Sequence, residues 1–290
     1  MSSILFWQQI INGMVTGSIY AMLGLGLSQI YGVLGISHFA HGSVMMFGGY
    51  VAYTACKILG LNFWFALIVA TVVCGFIGVL IEKFFYRKII SGPGINIFIV
   101  AMGLVYIFET ICQMIWGADQ VAIRTNLTQT IMIGGVSVTL LRLTIFTISV
   151  LMLCLLYVLM KHTKLGRSIR AVAQNKDAAA IVGVSVNKTY SLVFLIGSAL
   201  AGMIGVLYSA QYSTYPTLGG SIVLQGFCVT ILGGMESIFG IFVGGLLFGM
   251  IEVMGGFVIG TEFKDAFGFI AIILVLMLKP EGLFTKKQSA

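Results

Sequence analysis

The sequence predicts an all-α fold, a polytopic bundle of about nine transmembrane helices (eight to ten), and three observations carry that prediction. Of 290 residues, 59% are hydrophobic and only 9% are charged, against roughly a quarter charged in an average soluble chain. Mean hydropathy is +1.07. Apolar runs of about 20 residues, the length that crosses a ~30 Å hydrocarbon core, recur from end to end. A chain this poor in charge cannot coat a water-exposed surface, which excludes a soluble globular domain, a disordered chain and a disulfide scaffold.

In chain order, charge and turn residues divide the apolar sequence into helices at 8–34, 39–57, 63–82, 95–116, 140–160, 189–212, 221–235, 237–260 and 265–279. The run at 221–235 is short and bracketed by Gly219-Gly220 and Gly233-Gly234, so it reads as a half-span or broken helix, which membranes tolerate only inside protein or along a cavity. No Lys or Arg precedes Lys57, so the first run is an uncleaved first helix rather than a signal peptide. Cys56, Cys74, Cys112, Cys154 and Cys228 are scattered through apolar runs without pairing motifs and read as buried thiols.

The net charge of +7 is read by position. Lys83, Arg87 and Lys88 against Glu82, then Lys161, Lys164, Arg167, Arg170, Lys176 and Lys188 against Asp177, then the tail after Lys279, hold most of the cations. The positive-inside rule places all three in the cytoplasm. Alternation then leaves the N-terminus outside, together with the loops near Gly60, between Trp116 and Thr139, around Tyr212 to Gly220 and around Glu262. The charge is therefore topological information and anionic-lipid contact, not a nucleic-acid footprint.

Without a linker or low-complexity stretch, residues 1–290 read as a single transmembrane domain. Glycine numbers 37 against 3 prolines. Gly13 and Gly17, and Gly240, Gly244, Gly245 and Gly249, fall at the small-xxx-small spacing that lets helices approach closely in lipid. Gly17-Ser18 with Ala21, and Gly197-Ser198 with Ala201, are a faint echo of the kind two related halves leave, each opening a long helix.

No phosphate-binding loop, dinucleotide fingerprint, HExxH, GxSxG or acidic cluster is present, so the chain reads as non-enzymatic. His38 and His41 have helical i,i+3 spacing but no accompanying carboxylate or thiol, and no metal is expected. The long inner loop, 161–188, is the informative segment. Asn175 is placed to cap a helix from Lys176 to Val182, Asp177 suits its positive end and Gly183 its termination. Ser168 to Gln174 forms another short helix with Ile169, Val172 and Ala173 opposite Arg167 and Arg170. Such a segment either lies on the inner leaflet or receives a cytoplasmic partner.

The stretch Gly166-Arg167-Ser168-Ile169-Arg170-Ala171-Val172-Ala173-Gln174-Asn175, continuing through Ala178-Ala179 to Val182-Gly183-Val184, resembles the coupling loop of permease subunits of branched-chain amino-acid ABC importers, the LivH type. Further matches are Asn12-Gly13, Gly17 to Ala21, Gly26 to Leu34, Phe39-Ala40-His41-Gly42, Ile231 to Met235 with Ser237 and Gly240, Gly244-Gly245, Gly249, Glu252 and Pro280 to Phe284. They span nearly the whole chain in family order. The resemblance implies a plasma (inner) membrane permease forming half of a translocation pathway, with a cytoplasmic C-terminus, a second and different homologous permease, ATP-binding subunits that carry ATP and Mg, and an extracytoplasmic substrate-binding protein. The chain itself would bind no cofactor. Its ATPase-coupling residues would be Gly166, Arg167, Arg170, Ala171, Gln174, Asn175, Ala178, Ala179 and Gly183. The sequence departs from the family pattern at His38, commonly Asn, and at Glu236-Ser237-Ile238-Phe239-Gly240 in place of Gly-Ser-Ile-Pro-Gly, so substrate range and the local helix start are not carried over.

Ionisable groups within spans are costly, and His41, Glu109 and Glu252 are the candidates for the translocation pathway; each has a structural alternative as a hydrogen-bonding or capping group. Arg142 and Glu236 lie nearer interfaces and read as anchors. Amide or urea import shares the same motifs. A secondary transporter coupling Glu109, Glu252 or His41 to ions, and a scaffolding subunit, are the readings from other classes.

Overall fold

Each apolar run is helical in the computed structural model, which describes residues 3–235, 237–279 and 282–284. Helices α1 (Ser3–Leu34), α2 (His41–Lys57), α3 (Phe63–Ile81) and α4 (Gly94–Trp116) precede a hairpin of β1 (Thr130–Ile133) and β2 (Val136–Thr139). Then follow α5 (Leu140–His162), the short α6 (Lys164–Gln174) and α7 (Lys176–Ile181), α8 (Val186–Gln211), α9 (Leu218–Gly233), α10 (Ile238–Ile259) and α11 (Lys264–Leu278). Among the described residues, six are long and apolar enough to cross a membrane, in stretches Ile4–Leu34, Phe63–Ile89, Gly94–Trp116, Leu140–His162, Val186–Gln211 and Ile238–Ile259. The chain is an all-α polytopic bundle. The tail residues Pro280-Glu281 and the anchor candidate Glu236 lie outside the described residues.

Four features differ from the sequence expectation. The helix expected to end at residue 82 runs on from α3 through a π-helical turn, Glu82–Tyr86, and an α-helical turn, Arg87–Ile89; the Arg87 N–H reaches the Glu82 carbonyl, five residues back. Gly219 and Gly220 lie inside α9 instead of bracketing it, and its 16 residues span about 24 Å, short of a full core. Neither Gly17-Ser18 nor Gly197-Ser198 opens its helix, since α1 begins at Ser3 and α8 at Val186. The loop between Trp116 and Thr139 contains a hairpin. Its turn, Gly134-Gly135, has φ of +57° and +84°, the two successive positive values that a two-residue type I′ turn requires.

Two compact units divide the chain. The first gathers Met1–Leu25, Thr125–Cys154 and Gln225–Ala290, the second Gly26–Arg124 and Leu155–Leu224; α1, α5 and α9 contribute residues to both. In the first, the expected glycine seams carry the packing. A Cβ added to Gly13 would lie 2.7 Å from Met250 Cα, and one on Gly245 would lie 2.5 Å from Ala21 Cβ, so backbones meet where no side chain intervenes. The hairpin is tied to α1 by the Gln8 amide, which donates to the Ser137 carbonyl (2.9 Å) and accepts from the Ser137 N–H (3.1 Å). Arg142 donates to Asn12 Oδ1 at 2.6 Å, an internal anchor within the bundle. Leu283 N–H donates to the Leu232 carbonyl at 2.9 Å, folding the tail onto the end of α9.

The second unit is built on α2, α3 and α8. A Cβ added to Gly48 would lie 2.7 Å from Gly202 Cα, and one on Gly75 would lie 3.3 Å from Ala199 Cβ, so α8 takes both of its neighbours at close range. Cys74, Cys112 and Cys228 are buried and Cys56 is half-buried, whereas Cys154 on α5 is exposed, contrary to the buried-thiol expectation.

Candidate functional site

The inner loop owes its shape to local caps. Thr163 Oγ1 accepts from Gly166 N–H at 3.0 Å, starting α6 four residues earlier than expected. Any side chain at Gly166 would meet the carbonyls of Leu159 and Met160, and the Arg170 guanidinium donates to the Met160 carbonyl. Asn175 Oδ1 accepts from the N–H groups of Asp177 (3.0 Å) and Ala178 (2.9 Å), the predicted cap of α7. Gly183, at φ +86°, ends it.

Most of the apolar face of this loop is spent inside the protein: Ile169 and Val172 are buried, whereas Ala173 is exposed. Val172, Ala179 and Tyr190 form a buried cluster with Val33, Leu34, Ile90, Ala171, Val184 and Val186 packed against it. Of the residues expected to contact a partner, Gly166 and Ala179 are buried and Ala171 is half-buried; they shape the loop. Arg167, Arg170, Gln174, Asn175, Ala178 and Gly183 are exposed. So are Ile181 and Val182, at 87% and 76%, an apolar tip on a buried base.

Next to the loop lies a polar network absent from the sequence reading. Glu82, with no exposed side-chain surface, accepts two hydrogen bonds from Arg87, Nε to Oε1 at 2.8 Å and Nη2 to Oε2 at 2.6 Å. Ser191 of α8 donates to the same Oε2 at 2.8 Å. Arg87 also reaches Ser191 Oγ and the Asn187 carbonyl. On the same π-helical turn, the Tyr86 hydroxyl lies 2.8 Å from His38 Nδ1, and Phe194 packs against both rings. In the sequence, the charge run Glu82 to Lys88 suggests a solvated loop; the Glu82 to Arg87 spacing, one π-turn apart, is the signal that points the other way.

Of the three pathway candidates, His41 and Glu109 lie in the second unit and Glu252 in the first. His41 opens α2 directly after the non-helical break that Gly35 begins at φ +66°. It is fully buried, so it does not cap an exposed helix end, and among the described residues neither ring nitrogen has a hydrogen-bond partner. Its Nε2 would lie 2.6 Å from a Cβ on Gly26, a glycine of α1. Glu109 on α4 is half-buried, with Oε1 3.3 Å from the Cβ position of Gly220. Glu252 belongs to the other unit. Its Oε1 lies 3.6 Å from Lys264 Nζ and accepts from the Tyr20 hydroxyl at 3.4 Å. At the motif that departs from the family pattern, Ser237 Oγ accepts from Gly240 N–H at 3.0 Å and starts α10 without proline.

Comparison with known proteins agrees with the family resemblance of the sequence. The family profile described as "Branched-chain amino acid transport system / permease component" matches residues 9–276. The chain is 31% identical to the high-affinity branched-chain amino acid transport system permease protein BraD of Pseudomonas aeruginosa, over 98% of this chain and 97% of that one. It is 29% identical to LivH of Escherichia coli, which carries the same description, over 98% and 96%. Among solved structures, PsaBC from Streptococcus pneumoniae in complex with Fab superposes with a TM-score of 0.54 at 11% identity, covering 93% of this chain and 91% of that one; at that identity the likeness concerns the fold alone.

Proposed function

The chain belongs to the family of branched-chain amino acid transport system permease components, and from that premise we propose that it forms half of the translocation pathway of an ATP-driven importer for branched-chain amino acids. It is a multi-pass membrane protein. A second, homologous but different permease completes the pathway, ATP and Mg sit on separate ATP-binding subunits, and an extracytoplasmic protein captures the substrate. The plasma (inner) membrane is the expected location, with nine crossings, the N-terminus outside, the C-terminus inside and residues 1–290 acting as one domain.

The observation that carries this reading is the inner loop. An interfacial helix would lay its apolar face on lipid; here most of that face is buried on α1 and α8 within the second unit, while Ala178, Ile181 and Val182 point outward. A rigid base with a small apolar tip suits a groove on a soluble subunit. Arg167 and Arg170 add a basic flank to the dock. Along the pathway, His41, Glu109 and Glu252 remain the candidates, and Lys264 and Tyr20 beside Glu252 also support a structural role for it. Because capture belongs to the binding protein, weak apolar contacts in the pathway favour release.

The test is uptake of leucine into vesicles containing the complete complex, comparing ATP supplied to the ATP-binding subunits with proton and sodium gradients. ATP dependence is expected; uptake driven by a gradient alone overturns the proposal. Ala178→Arg is expected to release the ATP-binding subunit during purification, with the permease still folded, since Ala178 is exposed and Ala179 beside it is buried. For orientation, Asn126→Cys in a background without the native cysteines is expected to react with an impermeant maleimide in intact cells, and Lys176→Cys to stay unlabelled.

A further inference from the structure

The inner loop touches the α1 end of the break directly and reaches His38 inside the break through neighbours of its buried cluster, by contacts that all lie within the second unit. The cluster beneath α6 and α7 includes Val33 and Leu34, the last residues of α1, immediately before the Gly35 turn. It also includes Tyr190 and Ile90, which stand next to Ser191 on α8 and next to the Arg87–Ile89 turn. From there the route is polar. Ser191 and the Asn187 carbonyl hold Arg87, Arg87 and Ser191 hold Glu82, and Tyr86, on the turn between them, meets His38 inside the break.

The His38–Tyr86 pair is a poor choice if stability were its purpose. His38 is 1% exposed, Tyr86 is fully buried, and His38 Nε2 has no hydrogen-bond partner among the described residues. Two apolar rings would fill the same space beside Phe194 without leaving a polar atom unsatisfied. What the pair adds is direction: a 2.8 Å link fixes the break against the π-helical turn. A π-turn also has an alternative, since returning to α-helix removes one residue from the turn and would rotate Tyr86 away from His38.

We propose that His38 and Tyr86 are positioning residues that transmit displacement of the α6–α7 loop to the break at Gly35–Ala40, and so to His41 at the head of α2. Neither touches substrate. The inference rests on the ATP-driven reading above, because it concerns how ATP use is tied to passage.

The test uses the complete reconstituted complex, with leucine as the probe, and reads leucine delivered per ATP hydrolysed. Tyr86→Phe and His38→Phe keep both rings and remove the hydrogen bond. Each is expected to reach the membrane and retain the ATP-binding subunit while the ratio falls about fivefold, the size expected from one buried hydrogen bond biasing two states. The double variant is expected to be no worse than either single, since both delete one link. His38→Gln, which restores a hydrogen-bonding group, is expected to recover the ratio with Tyr86 in place and not in the Tyr86→Phe background. An unchanged ratio in Tyr86→Phe, additive losses in the double variant, or equal losses from His38→Gln and His38→Phe would overturn the inference while wild-type ATP-driven uptake stands. Wild-type uptake that ignores ATP would overturn both the inference and the importer reading beneath it.

Discussion

Glu82 in the second unit and Glu252 in the first are carboxylates without exposed side-chain surface, and they are satisfied differently. Glu82 is gripped by a two-pronged guanidinium and a serine, every contact at 2.8 Å or less. Glu252 has one lysine at 3.6 Å, whose side chain is 36% exposed, one tyrosine at 3.4 Å, the Asp265 carboxyl beside it, and an Oε2 with no hydrogen-bond donor among the described residues. A buried charge is tolerable when close hydrogen bonds replace its hydration, and paired forks do this better than a flexible ammonium. Glu82 is thus a clamp fixing the α3 extension to α8, whereas Glu252 is a loosely held group whose charge the fold can do without.

Four substitutions test that contrast, beginning with the largest effect. Arg87→Ala strands Glu82, which has no exposed side-chain surface, and is expected to cost about 3–5 kcal/mol, seen as reduced membrane yield and a lower thermal midpoint in detergent; wild-type behaviour would dissolve the distinction. Arg87→Lys keeps the charge but loses the fork, and about 1–2 kcal/mol is expected from the same melting measurement. Glu252→Gln preserves shape and the Tyr20 contact, so stability should stay within about 1 kcal/mol, with leucine uptake still driven by ATP. Uptake that tracked a proton gradient and vanished in this variant would instead make Glu252 an ion-coupling residue. Lys264→Met is expected to change least, under about 1 kcal/mol, because a partly exposed lysine at 3.6 Å gains little from the pair. A large loss would mean that Glu252 is clamped after all.

The spans are legible in the sequence because a bilayer sets the length of each apolar run, and the local caps at Asn175 and Gly183 need only their immediate neighbours. Where the reading goes astray, polarity stands in for solvent. Lys188 and Asn187 lie inside α8, which starts at Val186, and Glu82 sits in a buried turn. The His38–Tyr86 contact joins residues 48 apart, and the burial of Ala179 depends on Tyr190 and the end of α1; neither is a local property. The hairpin is more accessible. Gly134-Gly135 lies between two β-branched alternations, Ile131 and Ile133 before it and Val136 and Val138 after it, a recognised turn signal. For the candidate site, the family resemblance picks out the loop but does not separate Ala178, which faces outward, from Ala179, which faces inward.

The Gln8 amide on Ser137 has a consequence for how this protein meets other chains. Ser137 pairs opposite Met132, yet its N–H and C=O both go to Gln8, so they face away from β1. An outer strand edge with free donors and acceptors is a template for unwanted strand addition. Here a glutamine side chain imitates the missing neighbour at the centre of that edge, so a foreign strand would have to displace two formed hydrogen bonds before it could make any there. The β2 edge thus carries its own guard against strand addition, supplied by a residue 129 positions earlier in the chain.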